Sequence, residues 1–187
     1  MWNQAVNTPN LAPLLQWQGL QILPGLNAVT GDEGRGKTRL LRELAHSTPD
    51  ALWLDLRLPD DNALRPEEVW ARLRAACPNW QEDLADDLAQ ALDLSRHLHK
   101  QLFMLSTGSR RKVALVGLLA SGQRITCLDQ PYVSLDMPSI GVLRDFLQDM
   151  ADHTARAWVV ADYEADASLA WRSTLSLDGP LPPSAHH

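Results

Sequence analysis

The densest chemistry in the chain is the run Gly31-Asp32-Glu33-Gly34-Arg35-Gly36-Lys37-Thr38. Its glycines free the backbone to turn N–H groups inward, and a following helix adds the positive end of its dipole. A nest of that kind holds polyphosphate. Lys37 is spaced to reach the β- and γ-phosphates, and the Thr38 hydroxyl is a hard oxygen ligand suited to Mg²⁺. The pattern G-x-x-x-x-G-K-[ST] has nothing out of place.

A second group lies downstream. Leu105-Ser106-Thr107-Gly108-Ser109 precedes an expected helix, for which Ser106 is a good N-cap. Arg110, Arg111 and Lys112 then crowd the helix end where the dipole disfavours cations, and a nearby polyanion would remove that penalty. Ile125-Thr126-Cys127-Leu128-Asp129 is a short apolar strand ending in an acid, the arrangement that sets a carboxylate beside a phosphate-bound Mg²⁺. Gln130-Pro131 and then Ser134-Leu135-Asp136 follow at once.

Elements must position these residues. Leu20 to Thr30 reads as a strand interrupted by a Pro24-Gly25 turn and feeding the glycine loop, and Thr38 to Ala45 reads as a helix with Leu40, Leu41 and Leu44 in register. Ala51 to Leu58 is expected to be the next strand. Pro66 with Glu67 and Glu68 marks a helix start, and Trp80 to Leu92 is a second amphipathic helix, so about 60–104 is a helical insert. A helix over Arg110 to Ala120, a strand over Ile125 to Leu128, a helix over Ser139 to Ala151 and a strand over Ala157 to Ala161 complete the order. Strands alternating with helices imply an α/β fold, a mostly parallel sheet flanked by helices, with a small helical subdomain.

Composition narrows the partners. The 187 residues fit one domain, expected over 1–178, followed by a Pro-rich flexible tail over 179–187. Seventeen Lys and Arg against 23 Asp and Glu give a net charge of −6, which opposes a broad nucleic-acid footprint. Cys77 and Cys127 have no metal-ligand spacing, and the chain reads as cytoplasmic. The longest apolar run, Val113 to Ala120, falls far short of the roughly 18 residues that span a bilayer, so no direct membrane insertion is expected. His97, His99, Glu82, Asp86 and Asp87 read as solvated surface.

Taken together these motifs resemble the nucleotide-binding domain of the ATP-binding cassette (ABC) ATPases, a P-loop NTPase family. Gly31 to Thr38 matches its Walker A loop, Leu105 to Ser109 its signature, Ile125 to Asp129 its Walker B strand and Ser134 to Asp136 its D-loop. The resemblance implies ATP and Mg²⁺ as ligands, with Thr38 and Asp129 at the metal. It implies a head-to-tail pairing with a second cassette, identical or not, in which Ser106 and Gly108 act in trans and Asp136 lies at the shared site. It further implies membrane-spanning transporter subunits as partners, which would hold the chain peripherally at the inner face of the membrane. The family's upstream aromatic against adenine would fall at Trp17 or Trp2, although each reads more simply as a residue packed in the core or on the surface.

Three positions depart from the family pattern. Gln130 stands where a catalytic glutamate is usual, and an amide orients water without taking its proton, which implies slow hydrolysis. Asp162 occupies the place of the switch histidine, and when ionised would repel the γ-phosphate, with Tyr163 next to it as an alternative donor. Asp55 and Arg57 fall near the position of the Q-loop glutamine, and little room is left for the antiparallel β-subdomain. The degenerate positions leave a second reading open, an ATP-binding regulatory or structural cassette that dimerises but turns over little.

Overall fold

The computed structural model describes residues 12–17 and 20–178; Trp2 and the tail over 179–187 lie outside the described residues. In chain order the elements are β1 (Leu15–Trp17), β2 (Leu20–Ile22), β3 (Gly25–Thr30), α1 (Lys37–Ser47), β4 (Ala51–Trp53), α2 (Pro66–Ala76), α3 (Glu82–Ala91), α4 (Thr107–Ala120), β5 (Ile125–Asp129), α5 (Met137–Met150), β6 (Ala157–Asp162) and β7 (Trp171–Ser176). Five strands form one sheet in the order β4-β5-β6-β3-β7, every neighbouring pair parallel. β1 and β2 make a separate antiparallel pair. This is the expected α/β architecture with helices on both faces.

The strand sequences explain the order. β3 and β6 are apolar and buried on both sides, as central parallel strands must be. Alternate residues of the sheet feed two cores. Val29, Cys127, Val159 and Ala161 pack with Leu40, Leu41 and Leu44 of α1 and with Leu20 and Ile22 of the hairpin. Leu26, Leu128, Trp158 and Val160 pack on the opposite face with α4 and α5.

α4 is buried almost all round because the sheet covers one side and α2 and α3 the other. The approach of α2 depends on Gly117, where a Cβ would stand 2.4 Å from Leu73 Cδ1. The Trp70 indole completes the contact, its Nε1 donating to the Val113 carbonyl at 2.9 Å. The helical insert therefore docks on the helix that carries the Ser106–Gly108 turn at its start.

Several expectations shift. The strand expected over Ala51 to Leu58 ends at Trp53, because the Asp55 carboxylate accepts the Arg57 N–H at 2.9 Å and Leu58 adopts a left-handed φ of 47° ahead of Pro59, closing a turn. α4 starts at Thr107 rather than Arg110, one turn earlier, since Ser106 caps it from outside. β1 and β7 are additional to the sequence reading. The hairpin gives the region before Gly31 an antiparallel pair of three-residue strands, and β7 adds a fifth strand beside β3.

Asn27 joins these parts just before the glycine loop. Fully buried, its Oδ1 accepts from Leu23 N–H at 2.9 Å and from the Ser173 hydroxyl of β7 at 2.8 Å, while Nδ2 donates to the carbonyls of Leu23 and Gly25. Removing a satisfied buried amide strands several partners at once. Asn27→Ala is expected to lower the unfolding free energy by about 2–3 kcal/mol, measured by urea denaturation.

Candidate functional site

The site forms at the carboxyl ends of β3, β5 and β6, where ligands bind in open parallel sheets. The register sets Thr30 beside Asp162 and Asp129 beside Ala161, so the glycine loop, the Walker B acid and the end of β6 converge. Sequence reading grouped these residues from three distant segments, and the sheet brings them together.

The loop from Gly31 to Thr38 is shaped by backbone that only glycine takes without strain: φ is +76° at Gly34 and +90° at Gly36, and a Cβ on either would enter open space. Asp32 and Glu33, before Gly34, and Arg35, between the two glycines, are exposed. Gly36 caps α1 with no side-chain hydrogen bond, and the first turn of the helix holds no acid. Its leading N–H groups thus have no side chain on them, which suits an anion. β7 steadies the outside of the loop. Asp178 Oδ1 accepts the Asp32 N–H at 2.9 Å and pairs with Arg35 Nε at 3.2 Å.

Lys37 is buried and turned back into the loop. Its Nζ donates to the carbonyls of Gly31 and Asp32, the latter at 2.8 Å, and lies 4.7 Å from the centre of the Tyr163 ring. Tyr163 is half exposed and faces the lysine, so the aromatic ring, rather than its hydroxyl alone, is what the strand end presents. A cleft of about 1000 Å³ opens here, lined by the loop from Glu33 onward, the outer face of α1, Trp53, Gln130 and Tyr163. Trp53, which sequence reading left as a strand residue, carries the Arg42 guanidinium 5.4 Å from its ring centre. Trp17 does not line the cleft; it packs half-buried against the cluster of Leu20 and Ile22.

Asp129 ends β5 half-buried, and Gln130 follows at a left-handed φ of 44°, its N–H donating to Ala161 O at 2.8 Å. Thr38 is exposed beside Lys37. A hydroxyl and a carboxylate are oxygen ligands of the kind that Mg²⁺ takes together with phosphate. The residues present therefore fit a magnesium-bound polyphosphate.

The three cations of α4 correct the sequence reading. No external polyanion is required, because each already has a partner on a different loop. Arg110 Nη2 donates to Leu58 O at 2.6 Å and Nη1 to Asn62 Oδ1 at 2.8 Å. Arg111 Nη2 donates to the Gln130 carbonyl. Lys112 Nζ donates to Asp136 Oδ2 at 2.8 Å. Asp136 in turn caps α5 through Ser139 N–H, and this pair of donors holds its carboxyl far below the usual carboxylate range, Lys112 first. Ser106 caps α4 through Ser109 N–H at 3.1 Å and is exposed. Gly108 lies so close to the Ser134 carbonyl that a Cβ would approach it to 2.5 Å. Leu105 to Ser109 take no part in lining the cleft around Lys37.

Asp162 is half-buried, and its Oδ1 accepts the Tyr163 N–H at 2.8 Å. Burial raises its pKa above the ordinary value, against the hydrogen bond from Tyr163 and the charge of Lys37. The sequence-based picture of a freely ionised repelling carboxylate is thus softened by burial. Asp55 moves the other way, held low first by its hydrogen bond from Arg57. Arg111 is pulled down by burial, with Asp129, Asp55 and Asp162 acting in the opposite sense.

A parallel sheet in which an inner strand feeds a glycine loop, a buried lysine and an uncapped helix start defines a P-loop nucleoside-triphosphatase fold. Comparisons with known proteins give the family. The chain is 32% identical over 167 residues to the cytochrome c biogenesis ATP-binding export protein CcmA of Zymomonas mobilis, covering 80% of this chain and 71% of that protein. It is 28% identical to the zinc import ATP-binding protein ZnuC of Halorhodospira halophila, over 84% of this chain and 65% of that one. Among solved structures, an ABC transporter ATP-binding protein from Pyrococcus furiosus superposes with a TM-score of 0.66 at 17% identity, over 89% of this chain and 95% of that one. No family model matches the chain. The chain belongs to the family of ABC ATP-binding proteins. It spans about half to two thirds of the length of the first curated relatives it matches.

The raised pKa of Asp162 has a measurable consequence. A carboxyl whose folded pKa lies above its unfolded one stabilises the fold less as pH rises, because the unfolded chain ionises first. Asp162→Asn is expected to be more stable than the parent chain at pH 7 to 8, with the gain vanishing as pH falls below the ordinary carboxylate range. Urea denaturation across pH reads this directly.

Proposed function

We propose that the chain binds MgATP and hydrolyses it slowly, as the ATPase subunit of an ABC transporter. What supports the reading above all is that Lys37, the uncapped start of α1 and Gln130 share one cleft, with Asp129 at the neighbouring strand end. The loop from Gly31 to Gly36, with Asp32, Glu33 and Arg35 carried between its glycines, wraps the triphosphate. Lys37 leaves the carbonyls of Gly31 and Asp32 for the β- and γ-phosphates. Thr38 and Asp129 hold Mg²⁺, which when bound neutralises charge on those phosphates. Gln130 orients the attacking water but offers no base, and Asp162 and Tyr163 flank the γ-phosphate side.

Ser106 and Gly108 are exposed or half-buried and stand apart from this chain's own cleft, so they clamp the nucleotide of a second cassette, with Asp136 at the shared boundary. Among the described residues no helix is long and apolar enough to cross a membrane. The likeness to import and export ATP-binding proteins supports membrane-spanning transporter subunits as partners, with the chain held peripherally at the inner face of the membrane through them. Gln130 and Asp162 favour one further reading, a cassette that dimerises on ATP and regulates rather than drives.

Magnesium-dependent ATP hydrolysis separates the two. Gln130→Glu restores a base and is expected to speed turnover by about a hundredfold or more. Lys37→Ala is expected to abolish it. Equal, slow turnover by Gln130→Glu and the parent chain, with ATP still bound, gives the regulatory reading.

A further inference from the structure

We propose that Arg144 is a positioning residue for ATP hydrolysis, locking the turn that carries Gln130 to the loop that carries Asp162 and Tyr163. The inference rests on the ATP-hydrolysing reading above and adds to it a residue that does not line the cleft.

The two segments leave the sheet side by side. Their first link is Gln130 N–H to Ala161 O at 2.8 Å, at the ends of β5 and β6. Beyond it one segment turns through Pro131 and Tyr132 toward α5, and the other runs through Tyr163 to Asp166 ahead of β7. Arg144, midway along α5, joins them again. Its Nε donates to Asp166 Oδ2 at 2.9 Å, and its guanidinium carbon lies 5.9 Å from the centre of the Tyr132 ring. One planar cation thus pairs with a carboxylate of one loop and an aromatic ring of the other, a combination that suits guanidinium better than ammonium.

Both ends of the tie are anchored. Asp166 Oδ1 accepts the Ser168 N–H at 2.9 Å and its hydroxyl at 2.6 Å, and the Asp166 carbonyl accepts Trp171 Nε1 at 2.8 Å, which fixes the carboxylate to the start of β7. The Asp166 side chain is only 16% exposed, which separates this pair from the solvated ion pairs of the surface. The Tyr132 hydroxyl is buried with no hydrogen-bond partner among the described residues, so packing and the cation hold that ring. Burial, and after it Asp166, push the phenol up to about 12, and the ring stays neutral between the two charges.

From these anchors the tie reaches the site. Tyr132 follows closely on Gln130, whose carbonyl accepts the Val133 N–H at 3.3 Å to close the turn. Asp166 follows closely on Tyr163, whose carbonyl accepts the Gly31 N–H at 3.3 Å and whose ring lies beside Lys37. A water oriented by Gln130 and a phosphate held by Lys37 react only when their separation is fixed. Arg144 keeps the frame between them while touching neither. Loss of the tie is a loss of alignment, read in kcat, while nucleotide binding stays with the glycine loop.

The test is steady-state Mg²⁺-dependent ATP hydrolysis by the full chain and by Arg144→Ala, Arg144→Lys, Asp166→Asn and the double variant Arg144→Ala/Asp166→Asn, with urea denaturation of each to establish that folded protein is assayed. Slow chemistry makes KM a measure of binding here. Arg144→Ala is expected to lower kcat about tenfold while KM stays within about twofold, with Arg144→Lys between. Asp166→Asn keeps an acceptor for Ser168 but loses the charge, and should lower kcat alike. The double variant should be no slower than the slower single one, because both remove the same link. A kcat within about twofold of the parent in folded Arg144→Ala overturns the proposal, as do a KM that rises as far as kcat falls and losses that add in the double variant. Should Arg144→Ala fail to fold, unchanged kcat in Arg144→Lys and Asp166→Asn overturns it equally. A parent chain whose hydrolysis is indifferent to Lys37→Ala overturns the ATP reading itself and the arginine's role with it. Hydrolysis that needs Lys37, beside an unaffected Arg144→Ala, sinks the arginine alone.

Discussion

Three positive charges at the start of α4 hold the site in one piece. The helix dipole opposes cations there by a few tenths to 1 kcal/mol each, so they persist only because something stronger engages them. Each reaches a different nucleotide-side loop: Arg110 the turn after β4, Arg111 the carbonyl after Asp129, Lys112 the cap of α5. Burial of Arg111 and Lys112 makes these contacts costly to break, since an unpartnered buried cation is worse than a solvated one. A shift of α4, which α2 and α3 cover from outside, must therefore move all three loops or sever one of these links.

The glycine loop is held differently. Its inner side has no side-chain cap, and its lysine is satisfied by the loop's own carbonyls, while Asp178 and the β3 register fix its outer side. Rigid outside and open inside is the condition for binding an anion without reorganising the backbone. The lysine alone must change partners.

Much of this was legible in the sequence. The glycines, Lys37 and the strand-loop-helix order specify the phosphate nest locally, because φ values near +80° at Gly34 and Gly36 and a helix start follow from residue type. The Ser106 cap and the alternation of strands with helices were equally local. What could not be read is what depends on long-range partners. The cations of α4 pair with residues up to 52 positions away, and no pattern near them signals it. β7 carries Trp171 and Leu175 in alternation, a signal for a strand, yet its role in bracing the loop rests on Asp178 meeting Asp32 across 146 residues. Trp17 and Trp53 are the same residue type near strands; only the sheet order decides that the second faces the cleft.

The departures from the family pattern differ in how deeply they are built in. Gln130 is held through its backbone: N–H to Ala161, carbonyl to Arg111, left-handed φ of 44°. No hydrogen bond of that set uses the side-chain amide, so exchanging it for a carboxylate changes basicity and leaves the frame untouched. Asp162 and Asp55 are otherwise, since each carboxylate is bonded to its own turn, one to Tyr163 N–H and the other to both N–H and guanidinium of Arg57. An amide in place of either carboxylate keeps an oxygen that can accept the backbone N–H but removes the charge. The missing base is thus a local chemical change, whereas at Asp55 and Asp162 the carboxylate is part of the hydrogen bonding of its own turn.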